Sequence, residues 1–357
     1  MKHINVLTFH DTINYGGVLQ CYALCSTILK NDIEPRIIDL KICDPVKKTS
    51  FRHLLKKILT PISNLLESKT RKKRTKYFLS KFKLIETSIL YNGDGETFIV
   101  GSDQVWNERI NGCNSNYLFS NVSDSSKIYS YAASFGIQST FSEKWNDSLL
   151  SCLKRFKKIS CRESNGVVKA NKLNLEARLD CDPTMLLSEN EWRAVESPVK
   201  TPNKYILVYI MPGVRKTESS LRRKAKLLAK KNKAKIIYIG NRVYRKFLIF
   251  EKNYFDVGPS EFLYLIDNAF EIVTNSYHGF LFSMYFKKKC NVFLTENSFK
   301  NGDDRIFTIA NGVLNLKIDD SKCNFIDFSN FSNNKNLEKF RSESQAYLEE
   351  ICYEAKK

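Results

Sequence analysis

Histidine is scarce in this chain, four residues in 357, so metal clustering has little raw material. Ten cysteines are scattered without a C-x-x-C pair, which points to reduced cytosolic thiols and away from a zinc site or disulfide framework. No run reaches the ~18–20 apolar residues of a membrane span. Residues 1–9 lack an apolar signal core and lead straight into His10 and Asp11, so they read as a first strand, not a signal peptide. Repeats, low-complexity tracts and a G-x-G-x-x-G fingerprint are also missing, and the last absence leaves a dinucleotide site unsupported. What is present is globular: 43% hydrophobic, 12% aromatic and 27% charged residues exclude a disordered or collagen-like chain. The length suits two domains at roughly 100–200 residues each.

Acid is the other shortage. Lys and Arg number 57 against 38 Asp and Glu, a net charge of +19, which points to a polyanion, an anionic membrane or an anionic substrate. The excess is local. Residues 47–83 carry 13 bases and one acid, residues 204–246 carry 14 bases and one acid, and the rest holds 30 bases against 36 acids. In the first patch Leu54, Leu55, Ile58, Leu59, Ile62, Leu65 and Leu66 alternate with lysines, the pattern of a basic amphipathic helix. A solvated helical face and a membrane-docking helix both fit that pattern. Aromatic-interleaved basic strands and zinc fingers are lacking, which weighs against nucleic acid.

Apolar runs alternate with helix-length segments. Strands are expected at 4–9, 36–40, 97–101, 128–132 and 158–161, with a helix at 17–30. The proline-bearing segment 197–203 reads as a linker, after which the alternation restarts: strands at 205–210, 235–239, 271–274 and 291–294, helices at 218–231, 261–268 and 277–286. This predicts two parallel-sheet α/β domains, 1–196 (with a basic helical insertion at about 41–90) and 204–325, then a helical extension over 326–357 that packs back on the body. Two such sheets bind ligands in the cleft outside the carboxyl ends of their strands, so the residues just after strands are the ones to inspect.

Five such segments stand out. His10 to Gln20, with Asn14, Tyr15, Gly16 and Gly17, brings two glycines to a helix N-terminus and would let a backbone approach an anion or sugar; an ordinary βα turn would look the same. Gly101 to Asn107 clusters Ser102, Asp103, Gln104 and Trp106, groups suited to sugar hydroxyls, with Asp103 as acceptor or general base; a turn cap is the alternative. Arg162 follows a strand and suits bidentate capture of a carboxylate or phosphate, or else a salt bridge with a neighbour such as Glu163. Thr274 to Phe280 is the sharpest signal: a strand ends at Asn275 and Ser276, and His278 with Gly279 falls in the first helical turn, where free N–H groups favour an anion. Arg305, after Asp303 and Asp304, supplies another cation before a short helix.

Taken in order, HDTINYGGVLQCYAL (10–24), FIVGSDQVW (98–106), YSYAASFG (129–136), ISCRE (159–163), DPTMLL (182–187), TNSYHG (274–279) and DRI (304–306) resemble the polysaccharide pyruvyl transferase family over about residues 5–315, with 41–90 matching poorly. The resemblance implies two Rossmann-like domains facing a cleft, similar to the GT-B glycosyltransferase fold. It also implies transfer of pyruvate from phosphoenolpyruvate, the donor substrate, to two hydroxyls of one sugar, giving a cyclic ketal and phosphate, with no further cofactor and no metal. Some members carry Arg-Leu-His where this chain has Ser276-Tyr277-His278; the histidine carries over, the arginine does not. On this reading His278 is the acid/base residue and Arg162, Arg305, Ser276, Asn275 and Gly279 hold the donor. Asp103 and His10 orient or deprotonate the acceptor, which Asn14, Tyr15, Gly16, Gln20, Gln104 and Trp106 bind. The expected partner is a sugar or lipid-linked oligosaccharide at the cytoplasmic face of an anionic membrane, with no nucleic acid. A nucleotide-sugar glycosyltransferase of the same fold is the rival enzyme, and a basic nucleic-acid or membrane adaptor the rival non-enzyme.

Overall fold

Six consecutive apolar residues, Tyr205–Ile210, are buried along their whole length, as a strand covered on both faces of a parallel sheet requires. The computed structural model that contains them describes residues 2–12, 14–40, 62–136, 141–211, 215–240, 252–254, 256–294, 305–319, 323–329, 331 and 334–357. The expected leucine pattern at 54–59, the acids Asp303 and Asp304, and the far end of the second basic patch lie outside the described residues.

The first sheet is parallel, in the order β3-β2-β1-β4-β5, built from β1 (His3–Leu7), β2 (Glu34–Ile38), β3 (Lys83–Ile85), β4 (Thr97–Val100) and β5 (Lys127–Ser130). A parallel pair, β6 (Ile159–Cys161) and β7 (Ala177–Leu179), extends it through bridges from Tyr129 to Lys158 and from Ala133 to Cys161. The helices that matter here are α1 (Tyr15–Lys30), α2 (Ile62–Leu79), α3 (Glu143–Leu153) and α4 (Ser164–Lys172). Asn14 starts α1 by accepting a hydrogen bond from Gly16 N.

The second sheet has the order β10-β9-β8-β11-β12-β13, from β8 (Tyr205–Ile210), β9 (Lys235–Gly240), β10 (Lys252–Tyr254), β11 (Glu271–Thr274), β12 (Lys289–Phe293) and β13 (Cys323–Asp327). Around it lie α5 (Arg215–Asn232), α6 (Pro259–Asp267) and α7 (Tyr277–Tyr285). The two halves are Rossmann-like. One strand departs from the all-parallel expectation: β13 runs antiparallel to β12, because the chain turns back at the sheet edge before its last helix. Every residue of α7 is buried, which fits its apolar sequence on all sides.

The last helix, α8 (Lys335–Lys356), returns to the first domain. Tyr347 Oη donates to Ser130 O at 2.9 Å, and Ser344 Oγ accepts from Cys181 N at 2.9 Å. Arg341 Nε donates to Met185 O at 2.6 Å. Its apolar stripe, including Tyr347, Leu348 and Ile351, joins the main core, which also takes in α1, α6 and α7 and so runs through both halves. At the centre of the junction the Tyr15 ring stacks on Phe262 with centroids 4.4 Å apart, and Tyr15 Oη donates to Val257 O.

Candidate active site

The two halves meet where two helix N-termini face each other. Ser276 caps α7 by accepting from Gly279 N, just as Asn14 caps α1, and both helices present their first turns to the junction. Between them lies His278, 5% exposed. Its ring packs so closely on Gly16 that a Cβ there would come within 2.0 Å of Nδ1. The other ring nitrogen, Nε2, is 3.3 Å from Asp182 Oδ2, an ion-pair distance without hydrogen-bond alignment.

Asp182 is the hub of the site. It follows β7, caps the short turn Pro183–Met185, and is completely buried. Its Oδ1 accepts from Thr184 N (3.0 Å) and Oγ1 (2.8 Å); Oδ2 accepts from Arg162 Nη1 (2.9 Å) and Ser102 Oγ (3.2 Å). Burial alone would raise its pKa, but the neighbouring His278 and Arg162, with the Thr184 N–H, outweigh it and hold the carboxyl well below the usual range. Arg162 is the mirror case: burial works against its charge, while Asp182 and Asp103 raise its pKa. The Tyr277 hydroxyl is pushed well above its ordinary pKa by burial and by Asp182, and its ring lies 5.1 Å from the Arg162 guanidinium carbon.

The Arg162 guanidinium is enclosed, with Glu163 Oε2 at 3.8 Å from Nε and Asp103 Oδ1 at 3.9 Å from Nη2, both beyond hydrogen-bond reach. Arg162 Nε and Nη2 therefore have no hydrogen-bond partner among the described residues. Glu163 turns its other oxygen to Ser134 Oγ and Phe135 N. Asp103 adopts the left-handed conformation (φ 76°), fixed by donors to its carbonyl from Val105 N and Ser134 N. Such backbone strain in a non-glycine residue costs about 1–3 kcal/mol and concentrates at functional sites. It turns the Asp103 carboxylate onto α1, where a Cβ on Gly17 would come within 2.9 Å of Oδ2.

The structure thus brings together His278, Asp103, Arg162, Gly16 and Ser276, with Asp182 as a member that inspection of the sequence did not single out. The signal for Asp182 was the Asp-Pro-Thr turn after a strand, in the same position as the segments of Asp103 and Arg162. Other expected residues are placed differently. Gln20 is buried and spends its amide on Thr8 Oγ1 and Gly17 O, bracing the β1–α1 loop. Trp106 is fully buried, its Nε1 donating to Tyr117 O, within a core that includes Phe135 and Phe156, so no face is open to a sugar. Tyr15 serves the domain junction. Asn275 locks onto Met211 through N and O, Gly279 lies against Thr274, and Gln104 Oε1 accepts from Asn107 Nδ2. His10 sits with Nε2 3.1 Å from Asp39 Oδ1 and Nδ1 3.3 Å from Thr8 O. Arg305 opens the helical turn Arg305–Phe307 and acts electrostatically on Tyr277. Among the described residues no group of three His, Cys, Asp or Glu side chains could hold a metal ion, and no helix is long and apolar enough to cross a membrane.

Comparison with solved structures returns two-domain proteins of the GT-B type. The UDP complex of MnaA from S. aureus has a TM-score of 0.50 at 11% identity, covering 99% of this chain and 90% of that one. UDP-GlcNAc 2-epimerase from Methanocaldococcus jannaschii gives 0.47 at 12% (97% and 100%), and UGT89C1 from Arabidopsis thaliana with UDP-L-rhamnose gives 0.45 at 11% (98% and 99%). At these identities the likeness shows the fold alone. A search of curated proteins finds no match. The family model described as polysaccharide pyruvyl transferase matches residues 14–297, which hold Gly16, Asp103, Arg162, Asp182 and His278, and the chain belongs to that family.

Proposed function

We propose that this enzyme transfers pyruvate from phosphoenolpyruvate to two hydroxyls of one sugar in a cell-surface polysaccharide or its lipid-linked precursor, forming a cyclic ketal and releasing phosphate. The observation that carries the reading is Arg162: an enclosed guanidinium with Nε and Nη2 unpartnered, a costly arrangement that a carboxylate-bearing donor would relieve, beside a histidine at a helix N-terminus. The donor carries a carboxylate and a phosphate, and the junction supplies Arg162, Arg305 and the first turns of α1 and α7.

His278 gives a proton to the donor's methylene carbon, leaving an oxocarbenium-like centre at C2. One sugar hydroxyl attacks C2 and loses its proton to Asp103. The second hydroxyl then forms its bond to C2 as the C–O bond to phosphate breaks, and its proton leaves with the phosphate. Asp103 then returns the first hydroxyl's proton to His278 through solvent, which resets both groups, so donor and acceptor alone satisfy the balance without a further cofactor.

Peripheral contact with the cytoplasmic face of an anionic membrane fits α2. Arg71 and Thr75 face inward, whereas Lys69, Lys72, Lys73 and Lys76 are exposed beside Tyr77.

The test is phosphate release from phosphoenolpyruvate on adding an acceptor glycan, with mass spectrometry of the product for the added pyruvyl group. Stabilisation in a thermal shift by a UDP-sugar and not by phosphoenolpyruvate would sink the proposal in favour of a glycosyltransferase.

A further inference from the structure

We infer that Asp182 is the positioning residue for His278, fixing which imidazole nitrogen faces the cleft and doing so only when the two domains are together. The inference rests on the reading of His278 as the acid/base group and goes beyond it.

Asp182 belongs to the first domain, in the turn after β7, and His278 to the second, in the first turn of α7. The carboxylate cannot swing to follow the histidine. Thr184 grips Oδ1 through two hydrogen bonds, and Arg162 and Ser102 grip Oδ2, so four donors from three segments of the first domain hold it still. A side chain held this way keeps a fixed carboxylate oxygen 3.3 Å from Nε2 of the histidine in the other domain, at ion-pair distance. With Nε2 turned to Asp182, the opposite edge of the ring, Nδ1 included, packs on Gly16 at the N-terminus of α1. The inferred consequence is that the Nε2–H tautomer is the neutral form the site selects, which leaves Nδ1 as the nitrogen able to exchange a proton. Asp182 touches no reacting atom; it acts through His278.

The surroundings bear on any pH effect. Arg162, Asp103 and Glu163 approach from the ends of β4 and β6, Cys181 is the chain neighbour of Asp182, and Tyr277 lies beside His278 on α7, with Arg305 acting on it. Asp182 is the carboxylate at ion-pair distance from the His278 ring, its Oδ2 lying 3.3 Å from Nε2.

The first readout is independent of catalysis. Nitrogen NMR of the imidazoles, with only four histidines to resolve and His278→Gln to assign the signal, should show Nε2–H for neutral His278 in the wild type. In Asp182→Asn that preference should be lost. The second readout is turnover: kcat should fall at least about tenfold, by more than the KM for phosphoenolpyruvate rises through the lost charge beside Arg162, and the alkaline limb of the pH–rate profile should move to lower pH. Should Asp182→Asn fail to fold, Thr184→Val, which removes one hydrogen bond to Oδ1, should lower kcat about fivefold in the same direction. An unchanged His278 tautomer in both folded variants overturns the inference, as does an unchanged pH profile. A wild type that shows the Nε2–H tautomer but releases no phosphate from phosphoenolpyruvate upholds the positioning role and sinks the proposed reaction instead.

Discussion

His278 of the second domain lies 3.3 Å from Asp182 of the first, so the chemistry of the site is assembled across the domain junction. Replacing the imidazole with an amide of similar size, His278→Gln, removes the proposed acid/base group and keeps most of the packing around α7. Phosphate release should fall about 10²- to 10⁴-fold, the usual worth of a general acid–base group, while the melting temperature changes little. Retention of full activity by a folded His278→Gln would remove the histidine from the mechanism.

Gly16 is the partner surface of that histidine. A methyl group there would overlap Nδ1 at 2.0 Å, so His278 or α1 has to move. Gly16→Ala should cost about 1–3 kcal/mol in urea unfolding and lower activity together with stability. Gly312→Ala is the control: a Cβ at that position meets nothing within 4 Å, and the change should be neutral or slightly stabilising.

How far the sequence discloses this arrangement depends on the scale of the feature. The alternation of apolar runs with helical segments predicts the central strands of both sheets, because strands buried on both faces are largely apolar; Tyr205–Ile210 and Glu271–Thr274 fall as the pattern indicates, whereas the three-residue strands β3, β7 and β10 are too short to show it. The antiparallel β13 is invisible to that pattern: its residues alternate at a sheet edge and carry no sign of strand direction. The histidine at the α7 N-terminus is legible from capping alone, since Ser276 and Gly279 mark the first turn. Asp182 and Gly16 are harder. Their roles come from meeting residues in the other domain, His278 being about 96 and 262 positions away, and no local propensity encodes such a contact. Gln20 and Trp106 show the opposite failure, polar-tipped residues beside a loop whose tips are taken up by internal hydrogen bonds. Likewise Arg71 and Arg74 count toward the basic patch in the sequence, yet Arg71 packs over the Tyr15 ring and Arg74 Nη1 donates to Glu261 Oε1 at 2.6 Å.

Glu196, at the end of the first domain, should make stability depend on pH. Burial and the nearby charge of Asp267 push its carboxyl from 4.5 up to about 7, and its Oε1 has no hydrogen-bond partner among the described residues. A folded-state value above the unfolded one means that the group's contribution is fully present below 4.5 and is lost as pH rises through about 7. Glu196→Gln cannot ionise. It should leave the melting temperature unchanged near pH 4 and raise it by about 2–4 °C at pH 8. An equal effect at both pH values would show that charge is not the cause.

Substituting the exposed lysines of α2 tests the proposed membrane docking separately from catalysis. Lys69, Lys72, Lys73 and Lys76 point away from the body, next to a Tyr77 ring that is 82% exposed, whereas Arg71 and Arg74 on the same helix are committed to Tyr15 and Glu261. Near an anionic surface each lysine contributes about 1 kcal/mol of attraction, screened within a Debye length. Changing all four to alanine should therefore weaken binding to phosphatidylserine or phosphatidylglycerol vesicles by about 10²-fold or more at low salt, with little effect on neutral vesicles. Turnover of a water-soluble acceptor should stay within about twofold, because none of the four touches His278, Asp182 or Arg162. Arg74→Ala is the counterpart, expected to cost no more than about 1 kcal/mol of stability, since its ion pair is partly solvated, and to leave vesicle binding nearly unchanged. Equal loss of vesicle binding and soluble turnover in the four-lysine variant would place this face of α2 in the active site and remove it from the membrane.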